Sequence, residues 1–314
     1  ANLNERFGTS FGADNFYMTC GAAASLRIVL GALTLPGDEY VAFTPYFPEY
    51  RVFIESAGAK MAETPANPDT FQIDFDQLAA SVNEHTKGVF VNSPNNPSGA
   101  VYSRETIRKL AAFLTKKSEE NGTPVFILAD EPYREIAYDG VEVPYVTKYY
   151  ANTVVCYSYS KSLSLPGERI GYLVIPDELT DSAEVFTAAT IANRVMGCVN
   201  APSLIQRVIK RCIEKGAAVN LDAYDKNRNL LYNSLKKFGF ECIKPEGAFY
   251  LFVKAPVADD KEFCAQAQKH NLLLVPGSSF ACPGYVRIAY CVSYEQIERS
   301  LPAFEAVAKE YGLC

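Results

Sequence analysis

The sequence predicts an α/β fold, with a large domain built on a mostly parallel sheet flanked by helices and a small α+β domain at the C-terminal end. Short apolar, β-branched runs alternate with segments of helical periodicity through most of the chain. Polar loops follow several of these runs, and open parallel sheets build ligand sites at such loops. Past Phe240 the pattern changes to short strands with two helices. We therefore expect a large domain at residues 1–225 and a small domain at residues 226–314.

The predicted elements of the large domain alternate between strands and helices. A run of small residues, 18–25, opens the first helix, and Pro36 with Gly37 ends it. Residues 1–17 are polar and predict no clear element. The other predicted strands are 39–43, 59–64, 87–91, 124–129, 153–157 and 170–175, and the other helices are 50–58, 76–82, 103–120, 177–192, 202–215 and 217–238. The small domain has predicted strands at 241–244, 249–253, 272–275 and 286–291, and helices at 259–270 and 294–311.

Composition argues against several functional classes. The 314 residues carry a net charge of −6 and no basic run, which is unlike a nucleic-acid-binding protein. The nine cysteines are scattered singly without a CxxC spacing, and only two histidines are present, so no metal site is predicted. Free thiols favour a reducing compartment, and neither a leader nor an apolar run of membrane length is visible. We expect a soluble, cytoplasmic protein that binds no membrane.

A single lysine follows the buried run 153–157. Small hydroxyl residues surround Lys161, a Pro-Gly turn comes next, and Arg169 follows that turn. A lysine just past a buried strand lies where a ligand crevice would open, and desolvation there would lower its pKa and free its amine as a nucleophile. The alternative is a lysine in a solvated loop.

This stretch resembles the lysine signature of the class I/II aminotransferases, which are pyridoxal 5′-phosphate (PLP) enzymes of fold type I and include the aspartate aminotransferases. The matching residues are S-x-S-K, ending at Lys161, and the arginine of ERIG, eight positions later. The resemblance implies that Lys161 forms a Schiff base with PLP. It also implies that Ser158 and Arg169 bind the cofactor phosphate.

The small-residue run MTCGAAAS is a second candidate for the phosphate site. Small residues at a helix start let the backbone approach an anion, and the helix N-terminus attracts negative charge. The alternative is a tightly packed, alanine-rich helix. By the resemblance, Gly21, Ala22 and Ala23 supply the phosphate contacts.

An aromatic loop, 44–50, offers a flat apolar face for a pyridine ring. The resemblance points to Phe47, which stands two residues after the proline of the loop. The alternative is plain core packing, and Tyr46 or Tyr50 could do that job.

The loop after the strand 87–91 is too polar and too rich in proline for a helix or strand. Its NNPSG sequence resembles the NPTG-type loop of the family. This implies that Asn96 hydrogen-bonds the 3′ oxygen of the cofactor and contacts the substrate. The alternative is a simple Asx turn, which Asn95 supplies alone.

The strand 124–129 ends in DEPY. A carboxylate at that position is costly unless it is paired, and a protonated pyridine nitrogen would be its partner. The family pattern D-x-x-Y implies that Asp130 binds that nitrogen and that Tyr133 binds the 3′ oxygen. The alternative is a helix-capping aspartate with a packing tyrosine.

A late strand carries Arg287 within VRIA. The guanidinium fork of arginine binds a carboxylate through two parallel hydrogen bonds. In the family an arginine here binds the substrate α-carboxylate. A strand arginine that faces solvent or an acidic neighbour is the alternative.

The motifs occur in the family's order from about Thr19 onward. They imply an aminotransferase that moves an amino group between an L-amino acid and a 2-oxo acid, by a ping-pong mechanism through the Lys161 Schiff base, with Asp130 and Tyr133 as further catalytic residues. A C–S β-lyase of the same fold is one alternative, and a PLP-sensing domain without catalysis is another.

The start of the chain departs from the family pattern. Family members carry a further N-terminal segment before the phosphate turn, whereas this chain begins almost at that turn. We therefore expect an incomplete small domain, with apolar surface uncovered near 249–253 and 286–291. The resemblance also implies a homodimer. Which amino acid is used is not predicted, and whether Arg194 binds a side-chain carboxylate stays open.

Overall fold

A seven-stranded sheet, called here the large sheet, organises most of the chain. The computed structural model describes residues 2–314, so Ala1, the first residue of the expected large domain, lies outside the described residues. The strands of the large sheet are β1 (Phe16–Thr19), β2 (Glu39–Thr44), β3 (Lys60–Pro65), β4 (Thr86–Asn92), β5 (Phe126–Asp130), β6 (Thr153–Ser158) and β7 (Gly171–Val174). Their spatial order is β1-β7-β6-β5-β4-β2-β3. Strands β2 to β6 run parallel, β7 runs antiparallel to β6, and β1 runs antiparallel to β7.

Both faces of the large sheet are buried. Along β4, Val89 and Val91 pack into one core while Phe90 packs into another. Ile127 and Leu128 divide in the same way along β5. Strands covered on both faces are apolar at almost every position, which explains the continuous apolar runs in the sequence.

Helices supply the two covering layers. The helices are α1 (Asn2–Phe7), α2 (Ala22–Leu33), α3 (Glu49–Ser56), α4 (Phe75–Ser81), α5 (Arg104–Asn121), α6 (Tyr159–Ser162), α7 (Ser182–Val195), α8 (Ser203–Glu214), α9 (Leu221–Lys237), α10 (Asp260–Lys269) and α11 (Tyr294–Glu310). Helices α4 and α5 pack on one face of the large sheet, and α2, α3 and α7 pack on the other. The expected α/β fold with a mostly parallel sheet is confirmed.

A second, three-stranded sheet, called here the small sheet, lies in the C-terminal part. Its strands are β8 (Tyr250–Lys254), β9 (Val275–Pro276) and β10 (Tyr285–Ala289), in the antiparallel order β8-β10-β9. Residues of α9, α10 and α11 pack on it in one core. Within residues 2–314, no helix has both the length and the apolar character needed to cross a membrane.

Two predicted strands of the C-terminal part are wrong. Residues 241–244 form only an isolated bridge between Cys242 and Val253, and Pro245, which has no N–H to donate, comes directly after them. Of 272–275 only the last residue is in a strand. The Leu272 N–H bonds instead to the Ala267 carbonyl and closes α10.

The sequence of residues 1–17 predicted no clear element. Their described part contains α1 and the start of β1, an edge strand that is mostly half-buried. The small domain was expected to leave apolar surface uncovered near 249–253 and 286–291. The apolar residues of 249–253 are buried, and so are Val286 and Ile288, but Leu273, two residues before β9, is 83% exposed and Val292 is 37% exposed. The expectation therefore stays a prediction.

The carboxyl ends of the parallel strands meet at one edge of the large sheet. Asn92 at the end of β4 is the register partner of Asp130 at the end of β5. Ser158 at the end of β6 is the partner of Gly171, which begins the antiparallel β7, and Thr19 at the end of β1 pairs with the same glycine. Five segments that are distant in sequence therefore converge at this edge, where open α/β sheets place their ligands.

Candidate active site

A cavity of about 350 Å³ opens at this edge, between the large sheet and the small sheet. All the predicted site residues except Gly21 line it: Ala22, Ala23, Phe47, Asn96, Asp130, Tyr133, Ser158, Lys161, Arg169 and Arg287. It is also lined by residues that the sequence analysis did not single out as site residues: Leu26, Asn92, Pro132, Ser160, Pro166 and Tyr250. The structure thus gathers the separate motifs around one space.

A larger cavity, about 750 Å³, lies elsewhere and contains none of the predicted site residues. Four arginines line it, and three of them are already paired with carboxylates: Arg6 with Glu135 at 3.1 Å, Arg104 with Glu142 at 2.5 Å, and the buried Arg134 with Glu131 at 2.9 Å. Most of its cationic groups therefore already have partners within the protein.

Lys161 lies on α6, the short helix that follows β6. Its Nζ is 5.4 Å from the ring centre of Phe249 and 6.0 Å from that of Tyr133. Burial lowers the pKa of Lys161, and the nearby guanidinium groups of Arg169 and Arg287 lower it further. A lowered pKa leaves more of the amine unprotonated near neutral pH, which is the form that attacks a carbonyl.

Asp130 lies at the end of β5 and is only 5% exposed. Its Oδ2 accepts a hydrogen bond of 2.5 Å from Tyr50 Oη, whereas its Oδ1 is buried without a partner. Burial raises the pKa of Asp130 to about 7, although the bond from Tyr50 acts in the opposite direction. A cationic ring N–H would supply the missing partner of Oδ1, so this residue fits the pyridine nitrogen of PLP.

Tyr50 was considered from the sequence only as a packing or stacking residue. It is fully buried on α3, and its hydroxyl points to Asp130, 80 residues away in sequence. Tyr46 in the same loop turns away and donates to Glu63 at 2.6 Å. Phe47, the predicted stacking residue, lines the cavity. The three aromatic residues of the loop therefore lie in three different surroundings: Tyr50 contacts Asp130, Tyr46 contacts Glu63, and Phe47 faces the cavity.

Asn92 fixes the polar loop that follows β4. Its Nδ2 donates to the Asp130 carbonyl at 2.9 Å, and its Oδ1 accepts from the Asn96 backbone N–H at 2.8 Å. Asn95 makes the turn, since its Oδ1 accepts from the N–H and the hydroxyl of Ser98. The Asx turn foreseen as an alternative is therefore made by Asn95, and Asn96 is left to face the cavity.

Arg287 reaches the cavity from β10 of the small sheet. Its Nη1 donates to Asn96 Oδ1 at 2.9 Å, and its buried Nε has no partner. The guanidinium lies over the rings of Tyr250 and Phe280, at 4.4 and 4.8 Å from their centres. It is therefore not a solvent-facing strand arginine, and a donor left without a partner in a cavity fits an incoming carboxylate.

The opposite end of the cavity begins at the N-terminus of α2. Gly21 precedes this helix with φ +97°, a conformation that favours glycine, and a Cβ there would lie 2.9 Å from Arg169 Nη2. The first turn of α2 presents backbone N–H groups beside Ala22 and Ala23, where an anion is favoured. Ser158 stands nearby and its hydroxyl lies 2.7 Å from that of Ser160.

Arg169 is exposed and holds a left-handed backbone, with φ +49°. Its Nη1 donates to the Pro166 carbonyl at 2.9 Å and its Nη2 to the Cys20 carbonyl at 3.3 Å. Gly171 allows this turn to approach the sheet, because a Cβ there would lie 2.2 Å from the Tyr157 carbonyl and 2.9 Å from Gly21 Cα. The glycine turn and Arg169 together form a cationic, donor-rich pocket wall that fits a phosphate.

Arg194, left open from the sequence, is exposed in the last turn of α7. It is not among the residues that line the cavity of this chain.

The chain matches the family model described as aminotransferase class I and II over residues 2–304. An aspartate aminotransferase of Thermotoga maritima is 30% identical over 309 residues, which cover 96% of this chain and 78% of that protein. An aromatic-amino-acid aminotransferase of Thermococcus litoralis is 29% identical, with 94% of this chain and 76% of that protein covered.

Solved structures give the same result. The crystal structure of an amino transferase from Eubacterium rectale superposes with a TM-score of 0.96 at 57% identity, covering 99% of this chain and 78% of that chain. The aspartate aminotransferase of Thermotoga maritima superposes with a TM-score of 0.86 at 28% identity, covering 98% and 80%.

Proposed function

The chain belongs to the class I and II aminotransferase family, whose members use pyridoxal 5′-phosphate, and we propose that Lys161 is the residue that carries this cofactor. The single observation that supports this most strongly is the position of its amine. Lys161 Nζ lies in a cavity that has a buried carboxylate on one side and an arginine with a helix N-terminus on the other. No other lysine lines that cavity among residues 2–314.

The cofactor would be held at both ends by groups of this chain. Asp130 Oδ1 would accept the ring N–H, and Tyr133 and Asn96 would contact the ring oxygen from the two loops that follow β5 and β4. Gly21, Ala22 and Ala23 would bind the phosphate through backbone N–H groups, with Ser158 and Arg169 adding a hydroxyl and a charge. Phe47 would pack against the ring. Bound PLP supplies an aldehyde that reacts with amines and a ring that withdraws electrons from the bond being broken.

Lys161 would act twice. Its neutral amine is the nucleophile that takes up the cofactor, and burial increases the share of that neutral form. Once a substrate amine has displaced it, the same Nζ would accept the proton from the substrate α carbon and return it in a later step. Asp130, kept ionised by the ring N–H, would hold that nitrogen protonated throughout.

Arg287 would bind the α-carboxylate that all amino-acid substrates share. Its Nη1 is already held by Asn96, and its Nε is free to donate. We therefore propose an L-amino acid and a 2-oxo acid as the two substrates, used in turn in a ping-pong cycle. The relatives named for aspartate and for aromatic amino acids are 30% and 29% identical to this chain, so their names do not select a side chain.

Chemical trapping tests the assignment of Lys161. The protein is incubated with PLP, reduced with borohydride and digested, and the modified peptide is identified by mass spectrometry. We expect the reduced cofactor on Lys161 and no turnover in Lys161→Ala. Lys116→Ala is the matched control, because Lys116 is a largely exposed lysine of α5. Reduced cofactor on another lysine in the wild-type protein would refute the proposal.

We also propose that the enzyme is a homodimer, as the resemblance implies. Apolar side chains at the end of α7 and on α8 support this, since Val195 is 83% exposed and Leu204 is 70% exposed. Light scattering over a range of concentrations should give twice the chain mass. Leu204→Ser should weaken the association, and a monomer at every concentration would refute it.

The division into domains 1–225 and 226–314 remains a proposal. Separate cores on the large sheet and around the small sheet support two units. Residue 225 falls inside α9, whose Leu231 and Leu235 pack with the small sheet. A cytoplasmic location is likewise proposed, and the free state of the cysteines in the described chain supports a reducing compartment.

A further inference from the structure

Tyr250 lines the cavity and contacts both Arg287 and Tyr133. In the antiparallel pair of β8 and β10, Tyr250 is the register partner of Ala289, and Phe252 is the partner of Arg287. Successive side chains alternate between the faces of a strand, so Tyr250 and Arg287 share one face as diagonal neighbours. Their contact therefore follows from the pairing of the small sheet.

The ring of Tyr250 supports the guanidinium of Arg287. The two groups lie 4.4 Å apart, and Tyr250 is only 7% exposed. A buried cation over an aromatic ring is attracted to it and restricted in orientation. With Nη1 fixed by Asn96 and the plane supported by the ring, the guanidinium fork is held ready for a carboxylate.

The hydroxyl of Tyr250 contacts Tyr133, which lies in the loop after β5. It lies 3.0 Å from the hydroxyl of Tyr133, and both side chains are buried. Either oxygen can be the donor when the two are alone. If Tyr133 donates its proton to a cofactor oxygen, however, the remaining donor of the pair is Tyr250.

Backbone hydrogen bonds join the loop that carries Tyr133 to the segment that leads into β8, which carries Tyr250. The Ala248 N–H donates to the Ile136 carbonyl at 2.9 Å, and the Tyr138 N–H donates to the Glu246 carbonyl at 2.9 Å. The Gly247 N–H bonds in turn to Gly99 in the polar loop after β4. The loop that carries Tyr133 and the strand that carries Tyr250 are thus fastened together a few residues from the tyrosine pair.

We infer that Tyr250 is a positioning residue that links the carboxylate-binding Arg287 to the cofactor-side Tyr133. This inference rests on the roles proposed above for those two residues. The two parts of Tyr250 have separate tasks: the ring orients Arg287, and the hydroxyl donates to Tyr133 so that Tyr133 can donate to the cofactor oxygen. Substitutions that remove one part or both therefore distinguish the tasks.

Tyr250→Phe keeps the ring and removes the hydroxyl. Tyr133 then loses its donor, and because hydrogen bonds in a chain strengthen one another, its own bond to the cofactor oxygen weakens. More negative charge stays on that oxygen, and a proton at Lys161 Nζ is held more tightly. The pH midpoint at which the absorbance of the bound cofactor changes should rise by about 0.3 to 1 unit. KM for the amino donor should change little.

Tyr250→Leu removes both parts. The midpoint should rise as in the phenylalanine variant, and KM for the donor should increase about 3- to 30-fold because Arg287 loses its support. The donor is the amino acid that the wild-type enzyme uses fastest. Phe240→Leu, in the same small-sheet core but outside the cavity lining, is the control for a general loss of packing. Phe240→Leu should lower thermal stability without changing the pH midpoint of the cofactor absorbance or KM for the donor.

The outcomes separate this inference from the proposed function. A wild-type protein without a PLP spectrum or without turnover refutes the proposed function. A normal wild-type enzyme with an unshifted midpoint in Tyr250→Phe refutes the hydroxyl role, and an unchanged KM in Tyr250→Leu refutes the ring role. If the leucine variant does not fold, the phenylalanine variant still tests whether the Tyr250 hydroxyl positions Tyr133 or whether Tyr250 is only a packing residue. The charged and titratable groups around Lys161 and Tyr133 other than Tyr250 all stay the same in the test: Tyr50, Asp130, Arg169, Arg287 and Cys291.

Discussion

At one end of the cavity the functional groups are buried side chains, while at the other they are backbone N–H groups and an exposed guanidinium. The buried end, called here the ring end, consists of Asp130 with Tyr50 and Asn92. The other end, called here the phosphate end, consists of the buried turn at Gly21 with the exposed Arg169. Protein contacts hold the groups of both ends, but the charged group of the ring end is buried whereas that of the phosphate end is exposed to solvent.

This difference has an energetic basis. Burial of a carboxylate with one unpaired oxygen costs free energy. Burial therefore disfavours the ionised form of Asp130 and raises its pKa. A prearranged charge of this kind is effective in catalysis because it need not reorganise during the reaction. At the phosphate end the charged group, Arg169, is exposed, and its hydrogen bonds are to the Pro166 and Cys20 carbonyls, so a phosphate would be its first partner of opposite charge. We therefore expect the ring end to control rate and the phosphate end to control affinity.

Substitution at the ring end should give the largest effect. Asp130→Asn preserves the shape but removes the charge that we propose holds the ring nitrogen protonated, so kcat should fall by about 10²-fold or more. Cofactor affinity should change much less, because the phosphate contacts remain. Rapid single-turnover kinetics and a PLP titration measure the two quantities. A variant that loses affinity but keeps its rate would reverse the assignment of the two ends.

Substitution at the phosphate end should act in the opposite way. Arg169→Gln would remove the charge-assisted hydrogen bond proposed for the phosphate, which should weaken PLP binding by about 10- to 100-fold. At saturating PLP, kcat should stay within a few-fold of the wild-type value. Arg211→Gln is the control, since Arg211 is an exposed arginine of α8. A large loss of kcat at saturation would show that Arg169 also takes part in the chemistry.

The motif residues of the cavity could be predicted from the sequence, but the residues that hold them in place could not. Lys161, Asp130 and Arg169 each stand in a short local motif beside a strand, so the sequence placed them in one cavity without the structure. The partner of Asp130 was missed because Tyr50 reaches it only through the packing of α3 on the sheet. Local patterns cannot encode that packing.

The same reason explains the omission of Asn92 and Tyr250. The parallel register of β4 and β5 brings Asn92 to Asp130, and strand order is a long-range property. The register of the small sheet decides that Tyr250 supports Arg287. Motifs therefore predicted which residues surround the cavity, whereas the hydrogen bonds that hold those residues required the tertiary structure.

The smallest expected effect concerns stability without cofactor. The folded pKa of Asp130, about 7, lies above its ordinary value of 3.8, so the proton it keeps stabilises the folded form fully below pH 3.8, and this stabilisation is lost as the pH rises through 7. Glu131, whose pKa burial also raises to about 7, adds to the same trend. The free energy of unfolding of the cofactor-free protein should therefore fall between pH 4 and 7, with Asp130 contributing at most about 1.4 kcal/mol per pH unit.

Urea denaturation at several pH values measures this slope, and Asp130→Asn should reduce it by removing one of the two titrating groups. Bound PLP should reduce it as well, because a cationic ring nitrogen gives Oδ1 its missing partner and favours the ionised carboxylate. Arg169→Gln should leave the slope of the cofactor-free protein unchanged, since the phosphate end contains no buried carboxylate. An equal slope in Asp130→Asn and the wild type would mean that the ring end carries no strained charge, and the contrast between the two ends would then rest on hydrogen bonding alone.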